Sequence, residues 1–220
     1  MSWLRGHWQL LGLVVLVVLL WQTPLILPLK ILVVFFHEIS HGIAAILTGG
    51  EIVSLDITPD QGGTAVTRGD SRFLILTAGY LGSLLVGAVL LLAALRSRAD
   101  RVIVAALGLT LAAITLLFMR GLFPMAFGLA TSACLLAMAR WLPVAANDLA
   151  LRTIGLTSLI YVPLDIFSDT IVRSHLQSDA HMLGAEFGGG TWLWGGLWLL
   201  LSLWVIVLFI RKGLGSHSNL

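Results

Sequence analysis

Charge is what this sequence has least of: 11% of its 220 residues are Asp, Glu, Lys or Arg, against 58% hydrophobic residues and a mean hydropathy of +0.99. Soluble domains carry about 25% charged residues, so a water-soluble globule is excluded and an integral membrane protein remains, its apolar surface facing lipid as well as a core. The net charge of +2 comes with no basic stripe, so nucleic acid is not an expected partner. Cysteine is nearly absent: the single Cys134 lies inside an apolar run, which excludes a disulfide framework and a cysteine-based zinc site. No internal repeat is visible, and no polar stretch is long enough for a separate soluble domain. The whole of 1–220 therefore reads as one membrane domain.

What is present is a series of apolar runs, and the sequence predicts an all-α polytopic protein of about seven spans, at 8–26, 30–48, 73–95, 102–119, 121–139, 151–173 and 191–210. The first resembles a signal peptide, but it finishes WQTPLILPLK with no small-x-small cleavage site and is expected to stay; a cleaved one would leave six spans. Pro24 and Pro28 then break the chain into a tight connection. Trp192, Trp194 and Trp198 gather at one end of the last span, as interface anchors do. Lys30, Arg96, Arg98, Arg101, Arg140, Arg152, Arg211 and Lys212 fall on one side and Arg5, Arg68, Arg72, Arg120 and Arg173 on the other, which favours an outside N-terminus. A multi-pass protein of a bacterial cell membrane is the expected setting.

Ionisable residues interrupt the second span, ILVVFFHEISHGIAAILT. A charge at bilayer depth costs on the order of 2.5–3.5 kcal/mol even on the gentlest scale, so such residues need a partner. His37 and His41 are i and i+4, which sets both imidazoles on one helix face, where they can hold one zinc ion. Glu38 lies about 100° round the helix, where a general base for water activated by the metal belongs. With six His and three Glu in the chain, H-E-x-x-H arises by chance with a probability of roughly 0.002.

Two histidines lack a third ligand, and the sixth span offers one in LIYVPLDIFSDTIVR. Asp165 and Asp169 share a helix face behind Pro163. Asp165 falls at the depth of the histidines and is the expected third ligand; Asp169 is a partner supporting a ligand, an alternative ligand, or a solvated acid pairing with Arg173. Segment 174–190 reads as a solvated connection, the spacing of His175, Asp179, His181 and Glu186 being too irregular for a second metal site. Gly79, Gly82, Ser83 and Gly87 give the third span a face for close helix approach. Between spans, two β-branched runs flank Pro59-Asp60-Gln61-Gly62-Gly63 and predict a β-hairpin over 51–67, whose edge at Thr64, Ala65 and Val66 could hold an extended substrate by main-chain hydrogen bonds.

His37-Glu38-Ile39-Ser40-His41 and Pro163-Leu164-Asp165, with the hairpin between them, resemble the site-2 protease family of intramembrane zinc metalloproteases. The Asp165-Ile166 and Asp169-Thr170-Ile171 pattern, followed by Ser178-Asp179-Ala180, is similar to the compact branch without a PDZ or other soluble domain. The resemblance implies two histidine ligands, one aspartate ligand and a glutamate base cleaving a peptide bond in or beside the bilayer. The expected protein is thus a zinc metalloendopeptidase acting on membrane-spanning or membrane-proximal protein or peptide substrates. Two rivals are a metal transporter using the same residues as a transit site, and a non-catalytic membrane scaffold of the same fold. Glu38 argues against the scaffold, because holding a metal requires no base there.

Overall fold

The computed structural model describes residues 2–214 and Ser218, with side chains from Arg5 onward. In chain order the elements are α1 (Ser2–Leu20), α2 (Leu27–Leu47), β1 (Glu51–Ile57), β2 (Gly63–Arg68), α3 (Arg72–Arg96), α4 (Asp100–Phe118), α5 (Leu122–Trp141), α6 (Val144–Phe167), α7 (Asp179–Phe187) and α8 (Gly190–Leu208). A π-helical turn extends α6 over Ser168–Val172, and another extends α8 over Phe209–Gly213. Among the described residues, six helices, α2 to α6 and α8, are long and apolar enough to cross a membrane. The chain is a multi-pass membrane protein.

The first expected span, 8–26, differs at its end: its helix, α1 (Ser2–Leu20), stops six residues short of the expected limit. The chain then turns, and Trp21 lies with its ring 6.2 Å from that of Tyr161, two-thirds of the way along α6, while the Lys30 ammonium sits 4.4 Å over the same indole. α1 thus leans on α6. Pro28 falls at the start of α2, where a missing amide costs nothing.

Small residues decide which helices touch. A Cβ on Gly82 would strike Ser40 of α2, and one on Gly87 would strike Ser158 of α6. A Cβ on Gly155 would meet the backbone of Gly87 at 2.7 Å and the Leu91 side chain at 2.8 Å. The Ser158 hydroxyl donates to the Ser83 carbonyl at 2.7 Å. α3 is therefore the central helix, holding α2 on one side and α6 on the other at backbone contact, as expected where packing rather than water drives association.

The predicted hairpin is present. β1 and β2 pair antiparallel from Glu51↔Arg68 to Ile57↔Gly63, with a bulge at Val53. Leu55 and Ile57 are buried, and Leu55 also bridges to Met119 at the end of α4. β1 is thereby flanked on both edges. The outer edge of β2 pairs with no other strand among the described residues. Ile52 packs on Gly42, and a Cβ on Gly69 would meet the Ala45 backbone at 3.5 Å, so the hairpin is pressed against α2.

Segment 174–190, expected as a solvated connection, contains α7. Ser178 caps it by accepting from the His181 amide at 3.3 Å, and Asp179 follows at the first position, where the helix dipole favours an acid. Gly188, Gly189 and Gly190 all have φ between 70° and 83°, left-handed backbone that folds α7 directly back into α8. Arg72 at the start of α3 pairs with Glu186 at 2.9 Å, which draws α7 down over the bundle.

Candidate metal centre

One face of α2 carries the site. His37 and His41 are a turn apart, with ring centroids separated by 4.7 Å. The His41 Nδ1–H donates to the Ile75 carbonyl at 2.6 Å, which fixes the tautomer and leaves the Nε2 lone pair free for a ligand. The Tyr80 ring stands edge-on to His37 at 4.7 Å and 84°. Between Ile75 and Tyr80 along α3 lies Gly79, where any Cβ would collide with both imidazoles. Part of the face expected to serve helix packing is therefore the bed on which the histidines rest.

The carboxylate that meets them is Asp179, at the first turn of α7. Its Oδ2 lies 2.9 Å from His37 Nε2 and 3.3 Å from His41 Nε2. Among the described residues, His37, His41 and Asp179 are the group whose ligand atoms all fall within 4.8 Å of one another. Burial by itself would raise the Asp179 carboxyl, but the imidazoles of His41 and His37 hold it well below the ordinary carboxylate range. Two imidazole nitrogens and one carboxylate oxygen match the three protein ligands that catalytic zinc sites use, and each is a donor zinc accepts.

Asp165, expected as third ligand, does not join this group. It lines the same cavity, but its ion pair is with Arg173 at 3.7 Å. α7 instead brings the Asp179 carboxylate across the histidines. Asp169 makes both an ion pair and a hydrogen bond. Arg173 Nη2 lies 2.6 Å from its Oδ1, and the Tyr80 hydroxyl donates to its Oδ2 at 2.5 Å. The π-helical turn widens the helix at Asp169 and aims it at Tyr80.

Glu38 is buried, 5% exposed, on the cavity wall beside the histidines. A Cβ on Gly63 would strike its carboxylate, so the first residue of β2 abuts the expected base. The cavity has a volume of about 480 Å³. Thr64 and Ala65 of the expected clamp line it, whereas Val66 does not and is 47% exposed. Gln61, Arg72 and Gln177 give the mouth a polar rim on the hairpin side. Gly79 lies seven residues beyond Arg72, about 10 Å into α3 at 1.5 Å per residue, so water has a short path to the histidines.

The sequence held a signal for Asp179: a Ser N-cap, an acid at the next position, apolar residues at helical spacing and a Gly stop describe a short helix over 179–187. Tyr80 gave no such signal, since an aromatic in an apolar span reads as packing.

Fold and site together define a polytopic membrane protein with a His-His-Asp candidate metal centre opening toward one face. The chain belongs to the peptidase M50B-like family, whose model matches residues 10–209, and so to the site-2 protease family of membrane metallopeptidases. Peptidases of this family are zinc metalloproteases. Neither a curated protein nor a solved structure matches the chain.

Proposed function

We propose that this protein is an intramembrane zinc metallopeptidase hydrolysing peptide bonds of membrane-spanning or membrane-proximal substrates, with His37, His41 and Asp179 as the residues that would hold the metal. The observation that carries the reading is Asp179 Oδ2 within 3.3 Å of both Nε2 atoms, in a polar cavity that also contains Glu38.

Zinc, when bound, supplies Lewis-acid activation of water and of the scissile carbonyl. The protein supplies the rest. Glu38 accepts a proton from the attacking water and returns it to the leaving amine, a role its place beside the histidines rather than among them supports. The Ile75 carbonyl and the Tyr80 ring hold the two imidazoles in orientation. The unpaired edge of β2 offers main-chain groups to an extended stretch of substrate, with Thr64 and Ala65 inside the cavity and Val66 at its margin. A substrate helix has to unwind to use that edge.

Zinc content of the detergent-purified protein and its variants tests the site. Near-stoichiometric zinc is expected in wild type, Glu38→Gln and Asp165→Ala, with affinity falling roughly 100-fold or more in Asp179→Ala. Loss of zinc with Asp165→Ala and its retention with Asp179→Ala would move the third ligand back to α6. Cleavage of reconstituted single-span substrates tests the activity: deletion of 52–66 is expected to abolish it with zinc retained, and unchanged cleavage would end the role given to the hairpin.

A further inference from the structure

On the far side of α6 from the metal centre lies a second cavity, of about 590 Å³, unlike the first in every chemical respect. It is a groove between α1 and α8, floored by α6, and its walls, among them Leu10, Val14, Leu159, Pro163, Leu203 and Ile210, are wholly apolar. From Leu156 to Phe167 it runs eleven residues along α6, about 16 Å, close to the hydrocarbon depth of one leaflet. Its volume falls in the range of about 300–1,000 Å³ in which pockets hold a single small ligand.

One end of the groove is strongly basic. Ile210 and Leu214 belong to its lining, and between them on the π-helical turn stand Arg211 and Lys212, both exposed. The turn is tied to the end of α3, where Arg96 donates to the carbonyls of Lys212 at 2.7 Å and Gly213 at 3.3 Å. Arg96 is itself exposed, and exposed Arg98 follows two residues on. The acids at this end, Asp100 and Asp148, are buried, and Asp148 is paired with Arg152 at 2.7 Å. A chain-shaped apolar slot capped by cations that pair with no acid among the described residues is complementary to a molecule with an aliphatic tail and an anionic head.

We infer that this groove is a binding site for one anionic phospholipid, an acyl chain lying between α1 and α8 and the phosphate at Arg211, Lys212 and Arg96. The site is independent of the metal. It is also adjacent to it through a shared wall, because the helix that presents Pro163, Leu164 and Phe167 to the groove presents Asp165 and Asp169 to the metal cavity.

The full-length protein, delipidated in mild detergent and titrated with phosphatidylglycerol or phosphatidylcholine of the same acyl chains under native mass spectrometry, tests this. One tightly held phosphatidylglycerol is expected, with phosphatidylcholine weaker by at least about tenfold. Leu203→Trp, which fills the slot, is expected to abolish both adducts, and the surface variant Arg211→Glu/Lys212→Glu to remove the preference between them, each with zinc content and elution volume unchanged. Equal binding of the two lipids by wild type, wild-type selectivity in the charge-reversed variant, or a second copy of the chain as the adduct would overturn the assignment.

Discussion

At the residue scale, the site depends on an absence of side chain. Gly79 and Gly63 are the points where backbone comes flush against His37, His41 and Glu38, and neither position tolerates even a methyl group without displacing a reactive side chain. Gly79→Ala is accordingly expected to weaken zinc binding by about 10- to 100-fold, as loss of ligand orientation does elsewhere, while helix content by circular dichroism stays at the wild-type level. Glu38→Gln is expected to keep its zinc and to lower cleavage by about 10²- to 10⁴-fold, the share a positioned acid–base group contributes. Histidine and glutamate were legible in the sequence because polarity inside an apolar run has few explanations. The Asp179 carboxylate beside them was harder to place, since depth along a helix cannot distinguish a side chain reaching sideways from one lowered across the site by another element.

At the element scale, α3 and α7 do the organising. The crossing of α3 with α6 at Gly87 and Gly155 admits no added bulk. Gly155→Val is expected to destabilise the protein by about 1–3 kcal/mol through overpacking, read as a lower midpoint of thermal inactivation in detergent. The hairpin could be read from its alternating residues and central Pro-Asp-Gln-Gly-Gly, and it matches the predicted limits to within a residue. α7 could not be read as confidently, because nine residues are too few for periodicity to stand out and its stability comes from the Arg72–Glu186 pair and from α8. The first span was placed six residues too late in the sequence reading, at 8–26 against Ser2–Leu20: Trp21 to Ile26 are apolar enough to continue a span, but they turn around Pro24 to place Trp21 beside Tyr161.

At the scale of the whole molecule, the hairpin and α7 share a face with the mouth of the metal cavity, and the connections after α3 and α5 lie on the opposite one. In a Cys134→Ala background, Gln61→Cys and Gln177→Cys are expected to react with a membrane-impermeant maleimide from one side of sealed vesicles and Ser97→Cys from the other. Labelling of Gln61→Cys and Gln177→Cys from different sides would contradict this topology. Composition alone was enough to read the multi-pass character, because nothing but a bilayer stabilises so much outward-facing Leu, Val and Trp.

The arrival of Asp179 from α7 also sets a clock. His37 and Asp179 are 142 residues apart, so at a synthesis rate of about 5–20 residues per second the histidine pair waits roughly 7 to 28 s for its carboxylate after leaving the ribosome. During that interval the nascent chain holds the histidine pair without the Asp179 carboxylate. On the function proposed above, it would be inert among other half-inserted membrane proteins until its own insertion is nearly over.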